Sequence, residues 1–213
     1  MQGVFRSTYL PFLFLTIAGL LLSTPGCSVI TPHPQTENGI RYNWPQIRAQ
    51  ILKQTSWSLI GKVGVRTPNE SMTAAINNWS QIDDIFRVDL SSTFLGLGSS
   101  KLIGNSTYLT LEEAGEAPIS SDRPNELIES ALGIPLPIAY LPYWIKALPT
   151  PDATFDIEFN PQGLPSTMTQ HQWHLQFSQY RPQHGIPLPG KIKLESNGTR
   201  ITLAIKKWTL PSL

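Results

Sequence analysis

The sequence predicts a mainly β domain of α+β type: an antiparallel sheet of about nine to eleven strands interrupted by about three helices. Three observations carry this. Apolar residues recur with a period of two through most of the chain after residue 56, the pattern of strands with one wet face. Proline occupies 19 of 213 positions, roughly twice its usual ~5% and too much for a helical bundle. Asn197-Gly198 stands between two alternating runs and is the strongest two-residue hairpin signal.

Residues 1–26 read as a lipoprotein signal peptide. Arg6 is their only charge, and the apolar run from Leu10 to Leu22 is 13 residues long, short of the ~20 that span a bilayer. Ser23-Thr24-Pro25-Gly26-Cys27 follows, resembling the bacterial lipoprotein box, although Thr24 and Pro25 stand where that box usually has Leu three places before the cysteine. An ordinary signal with an incidental cysteine is the other reading. If Cys27 is the acylated first residue, the mature chain of 187 residues is formally neutral and has no thiol left. Several acyl chains would then hold it on a membrane without a spanning helix. Ser28, in place of the Asp that retains lipoproteins in the inner membrane, points to the outer membrane. Residues 27–43 are the lipidated Cys and a flexible tether, with a reach of ~20–25 Å. Residues 44–213 are expected to form one domain.

Within that domain, 44–54 is predicted helical. Asn43 can cap it, Pro45 stands in the first turn, and Trp44, Ile47 and Ile51 share a face. Strands are predicted at 57–66, 86–90, 155–159 and 173–178, with weaker runs near 72–80, 99–104 and 107–112. The Asn197-Gly198 turn pairs Leu194 with Ile201 and Ile192 with Leu203 on one face, and Glu195 with Arg200 on the other. A second helix is expected at 124–132, with Pro124 at its start and Gly133 past its end. Ile138, Leu141, Trp144, Ile145 and Leu148 then keep helical spacing until Pro149.

Several function classes are excluded. Lys+Arg 16 against Asp+Glu 15 gives no footprint for nucleic acid. One Cys excludes a disulfide framework and any multi-Cys metal site. His171 and His174 are three apart on a predicted strand, hence on opposite faces, and cannot share a metal. Asp83-Asp84 and Glu112-Glu113 flank turns and read as solvated. No P-loop, Rossmann fingerprint or G-x-S-x-G occurs, so neither an enzyme nor a cofactor is expected beyond the acyl groups on Cys27. Phe94, Leu95 and Leu97 stand apart: three large apolar side chains in a Ser/Gly-rich link between strands. They either fold inward as a small cluster or protrude as a hydrophobic tip.

The lipoprotein signal is followed in order by WSLIGKVGV, INNWSQ, FRVDLSSTFLGLG, LGIPLPIAYLPYWIKALPTP, QWHLQFSQY and ITLAIKKW. This ordered set resembles the LolB family of outer-membrane lipoprotein receptors, among the LolA/LolB lipoprotein-localisation proteins, over essentially the whole mature chain. The resemblance implies an open, curved antiparallel half-barrel with a lid of helices over an apolar cavity. It implies a lipid-anchored protein on the periplasmic side of the outer membrane, acting as a monomer. Such a protein accepts client lipoproteins from the periplasmic carrier LolA and inserts them into outer-membrane lipid without nucleotide hydrolysis. The acyl-cavity lining is then expected from Trp57, Leu59, Trp79, Phe86, Leu90, Leu141, Trp144, Ile145, Trp173 and Leu175. By the same resemblance, Leu95 matches the exposed loop leucine used for membrane insertion, with Thr93-Phe94 where the family often has Asn/Ser-Pro. An outer-membrane lipoprotein scaffold for envelope assembly, or a lipid carrier of different direction, are the alternatives.

Overall fold

The computed structural model describes residues 40–91 and 98–211. The first helix, α1 (Trp44–Leu52), is capped by the Asn43 side chain, which accepts from the Gln46 N–H, and it buries Ile47 and Ile51. Six strands follow: β1 (Ser56–Arg66), β2 (Ser71–Ile82), β3 (Ile85–Ser91), β4 (Ser99–Gly104), β5 (Leu109–Glu113) and β6 (Ile119–Ser121). Then come α2 (Pro124–Leu132), a 3-10 turn (Ile138–Tyr140) and α3 (Leu141–Trp144). The remaining strands are β7 (Asp156–Phe159), β8 (Pro165–Gln170), β9 (Trp173–Ser178), β10 (Arg181–Gln183), β11 (Ile186–Leu188), β12 (Lys191–Ser196) and β13 (Thr199–Thr209).

Eleven strands form one sheet in the order β6-β5-β4-β3-β2-β1-β13-β12-β9-β8-β7, and β10 with β11 makes a separate ribbon. Every pairing is antiparallel, and β6 and β7 remain unpaired edges, so the sheet is open rather than a closed barrel. The C-terminal hairpin has the predicted register, with Leu194 opposite Ile201, Ile192 opposite Leu203 and Glu195 opposite Arg200. Its turn residues Asn197 and Gly198 both have positive φ, 47° and 78°, as a type I′ turn requires.

The central strand β1 is flanked by two irregularities at one level. Leu59 pairs with Trp79 and Trp208, whereas Gly61 pairs with Ile76 and Ile205, which leaves an extra residue in β2 and in β13. Each bulge shifts the buried face, from Ala74 and Ile76 to Trp79 and Gln81 in β2, and from Ile205 to Trp208 in β13. Bulges bend and twist a strand, and this pair bends the middle of the sheet. Glycine is required there: a Cβ on Gly61 would stand 2.3 Å from the Ala204 carbonyl oxygen.

Three expectations are corrected. The 155–159 run, read as having a buried apolar face, becomes edge strand β7 with Phe155 just before it; Phe155 and Phe159 are 42% and 45% exposed, and Phe159 packs against the Trp44 ring. The helix expected through 138–148 is a 3-10 turn and a four-residue α3. Pro142 removes a backbone donor, the N–H groups of Lys146 and Ala147 bond three residues back, and Ala147 takes φ 58°. His171 lies in the two-residue β8–β9 turn, with φ 50°, rather than on a strand.

Candidate functional site: two adjoining hollows under a helical cover

Helix α2 and residues 134–142 form a cover over β4, β3, β2, β1 and β13. Pro124 opens α2, and Gly133 closes it in the left-handed conformation, its N–H bonded to the Glu129 carbonyl. Asn125 Oδ1 accepts from the Ile138 N–H at 3.1 Å, tying α2 to the 3-10 turn. Beneath the cover is a hollow of about 100 Å³ whose wall is wholly apolar. Val63, Trp79, Phe86, Val88 and Leu102 supply its floor, and Ile128, Leu136 and Leu141 its roof.

Over β8 and β9 the cover is locked down instead. Gln170 of β8, almost fully buried, accepts from Trp144 Nε1 at 3.0 Å and from the Thr150 N–H at 2.9 Å. Its Nε2 donates to the carbonyls of Thr150 and Ala153. Trp144 also packs on Trp173, and His171 stacks on Tyr140 with ring centroids 4.0 Å apart while bonding Thr150 Oγ1. Both polar atoms of the Gln170 side chain have partners, which fastens the cover to β8.

A second hollow, about 550 Å³ and of mixed character, opens beside the first. Phe86, Ile138 and Pro142 wall both. It lies at the end of the sheet where the β2–β3 turn brings Asp83 and Asp84, and Asp84 accepts from Asn105 Nδ2. Its inner wall holds Lys146, only 8% exposed, whose Nζ donates to the Gln54 carbonyl at 3.4 Å and stands 5.9 Å from the Trp57 ring centre. Burial pushes the Lys146 ammonium down to about 8. Trp57 Nε1 and Gln81 Oε1, in the same wall, have no hydrogen-bond partner among the described residues.

The ten expected lining residues separate accordingly. Trp79, Phe86, Leu90 and Leu141 line the apolar hollow. Trp57 lines the larger one, between Trp79 and Trp208. Leu59, Trp144, Ile145, Trp173 and Leu175 are buried in packed interior and line neither; Trp144 meets Trp173 where the cover descends onto β8 and β9. Cys27, Phe94, Leu95 and Leu97 lie outside the described residues. Val63 and Val88 share the period-two face of Trp57, Leu59, Phe86 and Leu90 and are legible in the sequence, whereas Leu102 joins the floor through its pairing with Val88 across β3 and β4. Ile128 follows from the apolar stripe of α2. Lys146 gave one signal: it is the only charge in an apolar run of eighteen residues, 134–151. Glu112, expected free in solvent, is paired with Lys101 on the neighbouring strand.

An open antiparallel sheet with a helical cover over an apolar hollow defines the class: a lidded half-barrel, whose distinctive feature is a cavity. The family model described as "Outer membrane lipoprotein LolB" matches residues 55–208. The chain is 32% identical to the outer-membrane lipoprotein LolB of Stutzerimonas stutzeri, over 89% of this chain and 91% of that one. It is 34% identical to the LolB of Cellvibrio japonicus, over 92% of this chain and 94% of the relative. Among solved structures, a LolA-superfamily protein of Nitrosomonas europaea is similar with TM-score 0.49 and 12% identity, over 78% of this chain and 94% of that one. The chain belongs to the LolB family of outer-membrane lipoproteins. Its location is accordingly the outer membrane, where a lipid anchor holds it.

Proposed function

We propose that this protein is a receptor that takes lipoproteins from the periplasmic carrier LolA, shelters their acyl chains under the helical cover, and inserts them into the outer membrane. It does so as a monomer anchored through acylated Cys27, with no catalytic step and no nucleotide. The observation that carries the reading is the wholly apolar hollow between sheet and cover, in a chain of this family.

The energetics favour a relay. Burying hydrocarbon is worth ~0.8 kcal/mol per CH₂, so acyl chains of about sixteen carbons cannot cross water unaided. Passing them between two apolar interiors exchanges like for like, and a small affinity difference sets the direction. The resting hollow, about 100 Å³, is small for several acyl chains of this length, so loading displaces the cover over β1 to β4. The Gln170 cluster holds its far end in place meanwhile.

Transfer of a labelled lipoprotein from LolA to the purified protein, then to liposomes, tests this. Leu95→Glu, which places a charge on the proposed insertion tip, is expected to leave acceptance intact and to stop delivery into the bilayer. Failure of the unmodified protein to accept the label from LolA refutes the receptor reading; delivery by Leu95→Glu at the normal rate refutes the role of the tip.

A further inference from the structure

We propose that the larger hollow is a headgroup subsite, in which Lys146 donates hydrogen bonds to the carbonyl oxygens at the polar end of an acylated guest. This rests on the acyl-binding reading above and adds to it the chemistry that reads the guest's polar end. Lys146 is buried at the inner wall, where an ammonium with three donors has one long bond to the Gln54 carbonyl and the distant face of Trp57. Among the described residues no carboxylate forms an ion pair with it. Trp57 Nε1 also lacks an acceptor among the described residues, but the atom is covered from the hollow, so Lys146 is the donor a guest can reach. Buried donors are normally fully paired, and the spare donor capacity of Lys146, with one long bond for three N–H groups, suits it to an oxygen acceptor.

Position identifies the guest's chemistry. Phe86, Ile138 and Pro142 wall both hollows, so a hydrocarbon chain in the apolar one has its polar end beside Lys146. Charge narrows it further. Asp83, Asp84 and Asp152 surround the same hollow and are exposed. They repel an anionic headgroup, a fatty carboxylate or a phosphate, and leave a neutral ester or amide carbonyl unopposed. Ester and amide carbonyls are what the glyceryl end of an acylated cysteine presents.

The test uses the full-length protein and three probes: a tripalmitoyl-S-glycerylcysteine peptide, palmitate, and diphenylhexatriene, which has no polar end. Lys146→Met is expected to bind the acylated peptide at least about tenfold more weakly, the scale of one charge-assisted hydrogen bond, with diphenylhexatriene binding unchanged. Lys146→Arg is expected to retain most of the affinity. The unmodified protein should also lose affinity for the peptide between pH 7 and 9 as Lys146 gives up its proton, an effect flat in Lys146→Met. Asp83, Asp84, Asp152, Tyr140 and Tyr143 face the same hollow and are common to both proteins, so their difference reports Lys146.

Equal peptide affinity in Lys146→Met, with diphenylhexatriene still bound, overturns the subsite and leaves the acyl reading standing. A larger loss for palmitate than for the peptide overturns the carbonyl assignment in favour of an anion site. Failure of the unmodified protein to bind peptide and diphenylhexatriene overturns the acyl reading, and this inference with it.

Discussion

Replacing Lys146 with Met removes a buried charge while keeping an unbranched side chain, and the structure sets the size of the effect. The Lys146 ammonium falls from the ordinary 10.5 to about 8, through burial. At ~1.4 kcal/mol per pH unit, that is an unfavourable contribution of about 3 kcal/mol to the folded state when both states are protonated. Little offsets it. The ring of Trp57, at 5.9 Å, is near the outer limit of cation–π attraction and is worth ~0.5 kcal/mol, and the 3.4 Å bond to the Gln54 carbonyl is long. Lys146→Met should therefore be more stable than the unmodified protein by about 2–3 kcal/mol at pH 7. The sign with pH is fixed by linkage. Below about 8 both states hold the proton and the penalty is complete. From there to 10.5 the unfolded chain holds more protons than the folded one, so stability of the unmodified protein rises with pH. Urea denaturation of both proteins from pH 7 to 10 measures this: the gap should be widest at pH 7 and mostly gone by pH 10. A variant less stable than its parent at pH 7, or a gap that ignores pH, refutes the account of Lys146 as a buried, poorly compensated cation.

Two further outcomes are expected. Gly61→Ala drives a methyl group into the Ala204 carbonyl, 2.3 Å away, with Ile205 Cα at 3.1 Å. Parting β1 from β13 should cost about 2 kcal/mol or more, read as a lowered urea midpoint. Val88→Phe adds bulk to the floor of the apolar hollow. It should leave the melting temperature equal or higher while weakening diphenylhexatriene binding several-fold, and unchanged binding would place the guest elsewhere.

The parts of the fold legible in sequence are those where local chemistry and burial agree. The Asn197-Gly198 turn, the alternation in β1 and β3, and the Pro124 and Gly133 ends of α2 each state their structure within a few residues. The illegible parts are those where long-range contacts decide. Strand β8 (Pro165–Gln170) buries Pro165, Met168 and Gln170, and a glutamine on the inner face breaks the apolar pattern. That same Gln170 is what fastens the cover, through partners twenty or more residues away. The bulges beside Gly61 move the inner face by one residue in β2 and β13, which no single-strand pattern reports. The site divides the same way. Of the lining expected from the resemblance, Trp79, Phe86, Leu90 and Leu141 face the apolar hollow, whereas Leu59, Trp144, Ile145, Trp173 and Leu175 are equally apolar and periodic and lie in packed interior. Lys146 is marked in the sequence only as the one charge in the apolar run 134–151, and its burial against Gln54 and Trp57 is set by the fold.

On the proposed function, the modest size of the apolar hollow and the uncompensated Lys146 have one explanation. A relay must release what it takes, so it cannot gain the whole ~0.8 kcal/mol per CH₂ on loading. When acyl chains enter, the cover gives up apolar contacts with the floor, and the guest replaces them nearly one for one. Net binding is then small despite a large buried area. Directional contacts remain where the cover is fixed, at Gln170, and are few over the hollow, where Asn125 to Ile138 is a tie within the cover rather than to the sheet. Lys146 acts in the same sense. Its burial destabilises the empty state, and a carbonyl oxygen brought by the guest relieves that strain. On that proposal loading is favoured by a contact to the guest's ester and amide carbonyls as well as by hydrocarbon, while the phosphate that a membrane phospholipid carries beside its own ester carbonyls meets Asp83, Asp84 and Asp152.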